Sequence, residues 1–128
     1  NAVWRGAKLF VASMSMFFAT ANGRALGTSR VISAAISSVT QARAKVLGKP
    51  SLEALRSAGQ RLGVATANLA VVGDDPALEL PMALRGGSLA IAVSTGVGSN
   101  ADFGAVPRGQ RPHLLLRGID ELLTHLQS

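Results

Sequence analysis

Cysteine and tyrosine are absent, and the aromatic residues amount to one tryptophan and four phenylalanines. The missing thiols exclude disulfides, thiolate metal sites and cysteine nucleophiles together, and leave the redox compartment open. So few aromatics leave Leu, Val, Ile and Ala to fill a core, and deny a nucleic-acid reader its stacking platform. His113 and His125 are the only histidines; with no partner at ligand spacing, both read as surface or packing residues rather than metal ligands. Acid is missing from the first third of the chain. Residues 1–48 hold Arg5, Lys8, Arg24, Arg30, Arg43 and Lys45 without one carboxylate, whereas from Lys49 onward seven bases meet seven acids. A basic, acid-free lobe favours an anionic partner: a phosphorylated small molecule, nucleic acid or a membrane surface.

A long hydrophobic run is missing as well. Leu9 to Ala21 is uncharged, follows Arg5 and Lys8, and ends in small residues, which imitates a secretory signal. It is too short to span a bilayer as a helix, and Ala7 to Ser13 reads equally well as a strand. Gly23 and Gly27 interrupt the long amphipathic helix that an organellar transit peptide needs.

What is present fits one ordinary globular chain: 128 residues, 48% apolar and 16% charged. Its organising stretch is Leu69-Ala70-Val71-Val72, an apolar, partly β-branched run that stops at Gly73-Asp74-Asp75-Pro76. The run reads as a buried strand and Asp-Pro as a helix start. Two carboxylates then stand at the carboxyl end of a strand, where open α/β sheets bind ligands and where oxygen donors can hold a hard cation. The other reading is that Asp75 caps the next helix and Asp74 is a polar turn residue.

Around this strand the periodicity predicts further elements. Thr28 or Ser29 would cap a helix with Val31, Ile32, Ala35, Ile36 and Val39 on one face and Ser33, Ser37 and Gln41 off it. Lys45-Val46-Leu47 is a short strand candidate, closed by Gly48-Lys49-Pro50. Ser51 starts a helix with Leu52, Leu55, Ala58 and Leu62 inward, ended by Gly63. A helix from Pro76 to about Arg85, a buried strand from Leu89 to Thr95, a loop from Gly96 to Pro112 and a last helix from Ile119 to Leu126 follow. Strand and helix alternate, which argues for βαβ units with parallel pairing. Two nucleotide motifs are excluded. Pro50 follows Lys49 where a Walker loop needs Ser or Thr, and Gly96-Val97-Gly98 lacks the third glycine and the helix of a dinucleotide fingerprint.

Gly48-Lys49-Pro50-Ser51, a helix, and then Val71-Val72-Gly73-Asp74-Asp75 resemble the second half of haloacid dehalogenase (HAD) superfamily phosphatases. The likeness is to the large-cap subclass that includes the 4-nitrophenyl phosphatases. Gly6 to Ala12 resembles that subclass's cap strand, and Thr95-Gly96-Val97 its turn after the last core strand. The resemblance implies an α/β fold: a partial Rossmann-like parallel sheet with flanking helices over residues 44–128, preceded by a cap remnant over residues 1–43. It implies a Mg²⁺-dependent hydrolase of small phosphate monoesters acting through an aspartyl phosphate. Lys49 becomes the catalytic lysine that neutralises phosphoryl oxygens and, with Ser51, binds substrate. Asp74 becomes catalytic and, with Asp75, the metal group. Lys49 and Asp74 are then expected to face one pocket.

The departures are as informative. The family's nucleophile is the first aspartate of an Asp-x-Asp motif, and no Asp-x-Asp occurs in this sequence; the preceding Ser/Thr motif is missing too. Ala12-Ser13-Met14-Ser15-Met16 carries no acid where the cap strand usually continues to one, and a further metal-group acid appears as Glu79. The chain thus resembles about half of such an enzyme, a fragment inactive alone, with a homo-oligomer or a complementing amino-terminal segment as partner. A cytoplasmic setting without a membrane partner is expected. The alternatives are a non-catalytic binding or assembly module and a basic nucleic-acid binder, the latter disfavoured by the scarce aromatics.

Overall fold

The computed structural model describes residues 1–127. The chain divides into two compact units, Asn1–Ala54 and the part from Leu55 onward.

The first unit contains two small sheets and a helix. Strand β1 (Phe10–Val11) pairs in parallel with β4 (Lys45–Val46), Phe10 beside Lys45 and Val11 beside Val46. Strands β2 (Phe17–Thr20) and β3 (Gly23–Leu26) form an antiparallel hairpin. Its loop is Ala21-Asn22, and Gly23 takes the positive φ that a tight hairpin demands. Phe17–Thr20 therefore belongs to a hairpin, not to one apolar helical run; the Arg24 guanidinium lies 4.2 Å from the centroid of the Phe17 ring.

Helix α1 (Thr28–Thr40) corrects two expectations. Its N-cap is Gly27, with no side-chain cap bond from Thr28 or Ser29. A Cβ at Gly27 would lie 1.9 Å from the Ser15 carbonyl oxygen, so close backbone approach dictates the residue there. The helix is also rolled over relative to the predicted face. Ser33 is buried, while Val31, Ile32 and Val39 are 48%, 54% and 66% exposed. Two contacts tie down the start of the helix in this orientation: the close approach of Gly27 to Ser15, and a 3.1 Å hydrogen bond from Arg30 Nη1 to the Met14 carbonyl. Ser33 tolerates burial because its hydroxyl donates to the Arg30 carbonyl, 3.0 Å away.

Helix α2 (Leu52–Leu62) follows β4, and the division between units falls inside it. Leu55 and Gly59 are its buried positions; Leu62, predicted inward, is 68% exposed. Gly63 ends the helix in the left-handed region at φ 69°.

The second unit is a three-stranded parallel sheet in the order β5-β6-β7, formed by Ala70–Gly73, Leu89–Val93 and Leu114–Leu116. Parallel pairing was predicted; β7 was not, since Leu114–Leu116 falls between the predicted loop and the last helix. Successive residues of β6 face opposite sides of the sheet. Ala90 and Ala92 pack with Leu80, Ala83 and Phe103, whereas Ile91 and Val93 pack with Leu116. Ala83, Ala90 and Ala92 are completely buried, and their small size lets α3 (Glu79–Arg85) lie close on the sheet. α3 begins three residues later than Pro76 because Asp75 to Leu78 form a turn first. On the other face, Leu122 at the start of α4 (Leu122–Leu126) packs beside Ile91 and Leu116. Ile119–Glu121, predicted as part of that last helix, is a separate 3-10 turn. Among the described residues, no helix is long and apolar enough to cross a membrane.

Candidate functional site

β5 delivers Asp74 and Asp75 to the carboxyl-terminal rim of the parallel sheet, directly after Gly73. Asp74 is clamped by the loop that leaves β6. The Val97 N–H donates to Asp74 Oδ2 at 2.8 Å. Gly96 has φ 55°, and a Cβ there would stand 2.2 Å from the same oxygen. A Cβ at Gly98 would stand 2.3 Å from the Val93 carbonyl oxygen and 2.9 Å from that of Asp74. The Gly96-Val97-Gly98 turn is thus shaped around the aspartate, with glycine where a side chain would displace it.

Asp75 has a different local task. Its Oδ1 accepts the Ala77 N–H at 2.8 Å and closes the turn before α3; the helix itself has Leu78 at its N-cap and no side-chain cap bond, so Asp75 does not cap it. The Asp75 N–H donates to Glu79 Oε2 at 3.2 Å. Glu79 is only 6% exposed, and its side chain lies on Gly73, where a Cβ would come within 2.2 Å of Cγ. Three carboxylates of one six-residue stretch therefore gather at this rim. Their carboxylate oxygens are hard donors.

The arrangement fits Mg²⁺, which uses one or two carboxylates and keeps water or substrate oxygens on its other positions. It is not a closed cage: among the described residues no group of three or more His, Asp or Glu is placed to hold a metal.

On the far side of β6, β7 is followed by Arg117-Gly118. Glu121 accepts the Arg117 N–H at 2.8 Å and also pairs with the Arg117 guanidinium. That backbone N–H first, and the guanidinium second, hold the Glu121 carboxyl below the usual carboxylate range; the hydrogen bond to Glu121 likewise raises Arg117.

Lys49 and Ser51 lie in the first unit, around the turn between β4 and α2. The Lys49–Pro50 bond is cis, the Lys49 carbonyl accepts the Met14 N–H at 3.1 Å, and the Lys49 side chain is exposed. Gly48 precedes it because a Cβ would stand 1.7 Å from the Ala12 carbonyl oxygen. Ser51 Oγ accepts the Glu53 N–H at 3.0 Å and caps α2. His113, read as a surface or packing residue, accepts the Ala90 N–H on Nδ1 at 2.9 Å. Sequence reasoning missed the clamp from Gly96 to Gly98, whose one signal was two glycines just after a buried strand.

A family profile described as HAD-hydrolase-like matches residues 46–122, more than half of the chain and inclusive of both the Gly48–Ser51 and Gly73–Asp75 motifs. The chain belongs to the HAD-hydrolase-like family. Solved structures agree with this HAD-like assignment. A double mutant of a thermostable NPPase from Geobacillus stearothermophilus is 28% identical, matches over 94% of this chain and 46% of its own, and has a TM-score of 0.76. A p-nitrophenyl phosphatase from Archaeoglobus fulgidus is 25% identical over 97% of this chain and 48% of its own, with a TM-score of 0.81. A 4-nitrophenylphosphatase from Thermotoga maritima, 20% identical, shares the fold with a TM-score of 0.82, over 96% of this chain and 46% of its own. The HAD-like chain therefore spans about half the length of the structures it matches. No curated protein matches it.

Proposed function

We propose that this HAD-like chain is the metal- and lysine-bearing half of a phosphatase that hydrolyses small phosphate monoesters. The observation that carries the reading is the clamped Asp74 at the rim of a parallel sheet, inside the segment that matches the family. In this reading Asp74, with Asp75, holds Mg²⁺. Bound there, the ion supplies charge neutralisation at the phosphoryl oxygens. Lys49 contributes its ammonium to the same class of oxygens, with Ser51 beside it on the substrate. The Val97 N–H fixes the Asp74 carboxylate in one orientation, so that less ordering remains to be done when the cation arrives.

The attacking group has to come from elsewhere, because no Asp-x-Asp occurs in this sequence. By itself the chain should bind Mg²⁺ and phosphate weakly and turn nothing over. Incubation with 4-nitrophenyl phosphate and Mg²⁺ tests this. No release of 4-nitrophenol is expected; release that Asp74→Ala abolishes would show that a nucleophile is already present.

A second reading, assembly with another chain, draws on one observation. β5 is an edge strand of a parallel sheet, and such sheets are normally covered at both faces and paired at their middle. The complementing strand would come from an amino-terminal segment or from a second copy of this chain. A monomer at all concentrations by light scattering would remove the second copy.

A further inference from the structure

The basic character of the first unit has a focus that the phosphatase reading does not use. A groove of about 450 Å³ runs beside α1, with Arg30, Ser33 and Ser37 on one wall, Arg43 at the end beyond the helix, and Met14 and Val46 opposite. Its size is that of a small-molecule site. Neither Lys49, Ser51, Asp74 nor Asp75 lines it.

Charge balance makes the groove selective in sign. Glu53 is the one carboxylate in Asn1–Ala54, and it pairs with Lys45 at 3.0 Å. Neither Arg30 nor Arg43 has an ion pair among the described residues, so their positive field is not cancelled locally. The Arg30 guanidinium is held in place by the 3.1 Å bond from Nη1 to the Met14 carbonyl, which leaves its other N–H groups to donate. The turn that carries Arg43 is fixed as well. The Gln41 N–H donates to the Ser37 carbonyl at 2.8 Å and the Ala42 N–H to Thr40 Oγ1 at 3.3 Å. Between the arginines the surface is apolar, from Met14, Val46 and alanines. The rolled-over helix explains the groove: it turns Ser33 and Ser37 inward, where small side chains leave space that Val31 or Ile32 would have filled.

We infer that this groove binds a small organic anion, its phosphate-like head on the guanidinium groups and its apolar body against Met14 and Val46. Two guanidiniums, that of Arg30 held by the Met14 carbonyl, suit a tetrahedral dianion better than a single charge, since each can give N–H donors.

The probe is phenylphosphonate, which has the head and body required and no ester bond to hydrolyse. It is titrated into the whole chain at low salt while amide NMR signals are followed. Saturable shifts are expected at Arg30, Ser33, Ser37 and Ala44. Arg30→Gln with Arg43→Gln should weaken binding about tenfold or more, the size of a lost charge-assisted hydrogen bond. Ala34→Phe, which keeps both charges and fills the groove from an exposed helix position, should weaken it comparably. Lys49→Ala and Asp74→Asn should leave these shifts unchanged, which separates the groove from the phosphatase reading. Absence of shifts at the four positions, or native affinity in both the Arg30/Arg43 and the Ala34 variants, overturns the inference.

Discussion

The backbone N–H of Val97 donates a 2.8 Å hydrogen bond to Oδ2 of Asp74, joining the loop after β6 to the carboxyl end of β5. Neighbouring parallel strands place their carboxyl ends side by side, so a loop from one can orient an acid on the next. The bond uses one carboxylate oxygen and fixes the direction of the other.

Gly96 is the most exposed dependency of this clamp. Alanine there must adopt φ 55° and put a methyl group 2.2 Å from Asp74 Oδ2. Gly96→Ala should cost about 1–3 kcal/mol in thermal or denaturant unfolding, the range for strained backbone. Unchanged stability would mean that the turn relaxes without the clamp.

His113 and Ala90 form a reciprocal pair: the His113 N–H donates to the Ala90 carbonyl at 2.8 Å, and the Ala90 N–H to His113 Nδ1 at 2.9 Å. Ala90 is completely buried. His113→Ala leaves its N–H without an acceptor and should destabilise the fold by about 1–3 kcal/mol. His113→Asn, whose amide oxygen can accept, should recover part of the loss. Equal stability of the three proteins would refute the assignment.

Leu80 is 2% exposed and packs with Ala83, Ala90, Ala92 and Phe103, whereas Leu126 is 73% exposed. Leu80→Ala should lower stability by about 2–5 kcal/mol. Leu126→Ala should change it by about 0.5 kcal/mol or less. Chemical denaturation of both variants distinguishes the buried leucine from the surface one.

The Arg117–Glu121 contact predicts a local pH dependence. The Glu121 carboxyl is held below the usual range by the Arg117 N–H and guanidinium. For a lowered carboxylate the stabilisation is present above the unfolded-state pKa and is lost as pH falls through the lower folded-state value. Protection factors for amide exchange over α4, corrected for the intrinsic slowing of exchange in acid, should therefore fall on acidification in the native chain. Glu121→Gln should flatten that dependence; an identical acid profile in the variant would exclude the Arg117–Glu121 pair as its source.

Much of the second unit was legible in the sequence. Ala70–Val72 and Ala90–Val93 are apolar runs with clear stops, and both form parallel strands. Only the second is buried as predicted: β5 lies at the sheet edge, where Ala70 is exposed and Val71 and Val72 are half-buried. Leu114–Leu116 carried the same composition but only three residues, too short for periodicity to register. The hairpin from Phe17 to Leu26 was masked by its own apolarity, although Asn22-Gly23 is a turn signal. The face of α1 was misread because amphipathic reasoning assumes that the apolar stripe turns inward. Here the helix is tied at Gly27 and through Arg30 to the Met14 carbonyl, contacts invisible in a helical pattern, and the apolar stripe faces outward. At the candidate site the sequence located Asp74, but the clamp depends on which loop lies beside it across the sheet. That adjacency is a property of topology, and no spacing along the chain encodes it.

Asp74 is proposed above as the cation ligand of a phosphatase half-site. Paramagnetic Mn²⁺, titrated in place of Mg²⁺ while amide NMR signals are recorded, tests this role most directly. Broadening should spread outward from Gly73, Asp74, Asp75 and Val97 and disappear in Asp74→Asn. Broadening centred on other acids such as Asp102, or unchanged in Asp74→Asn, would contradict the claim.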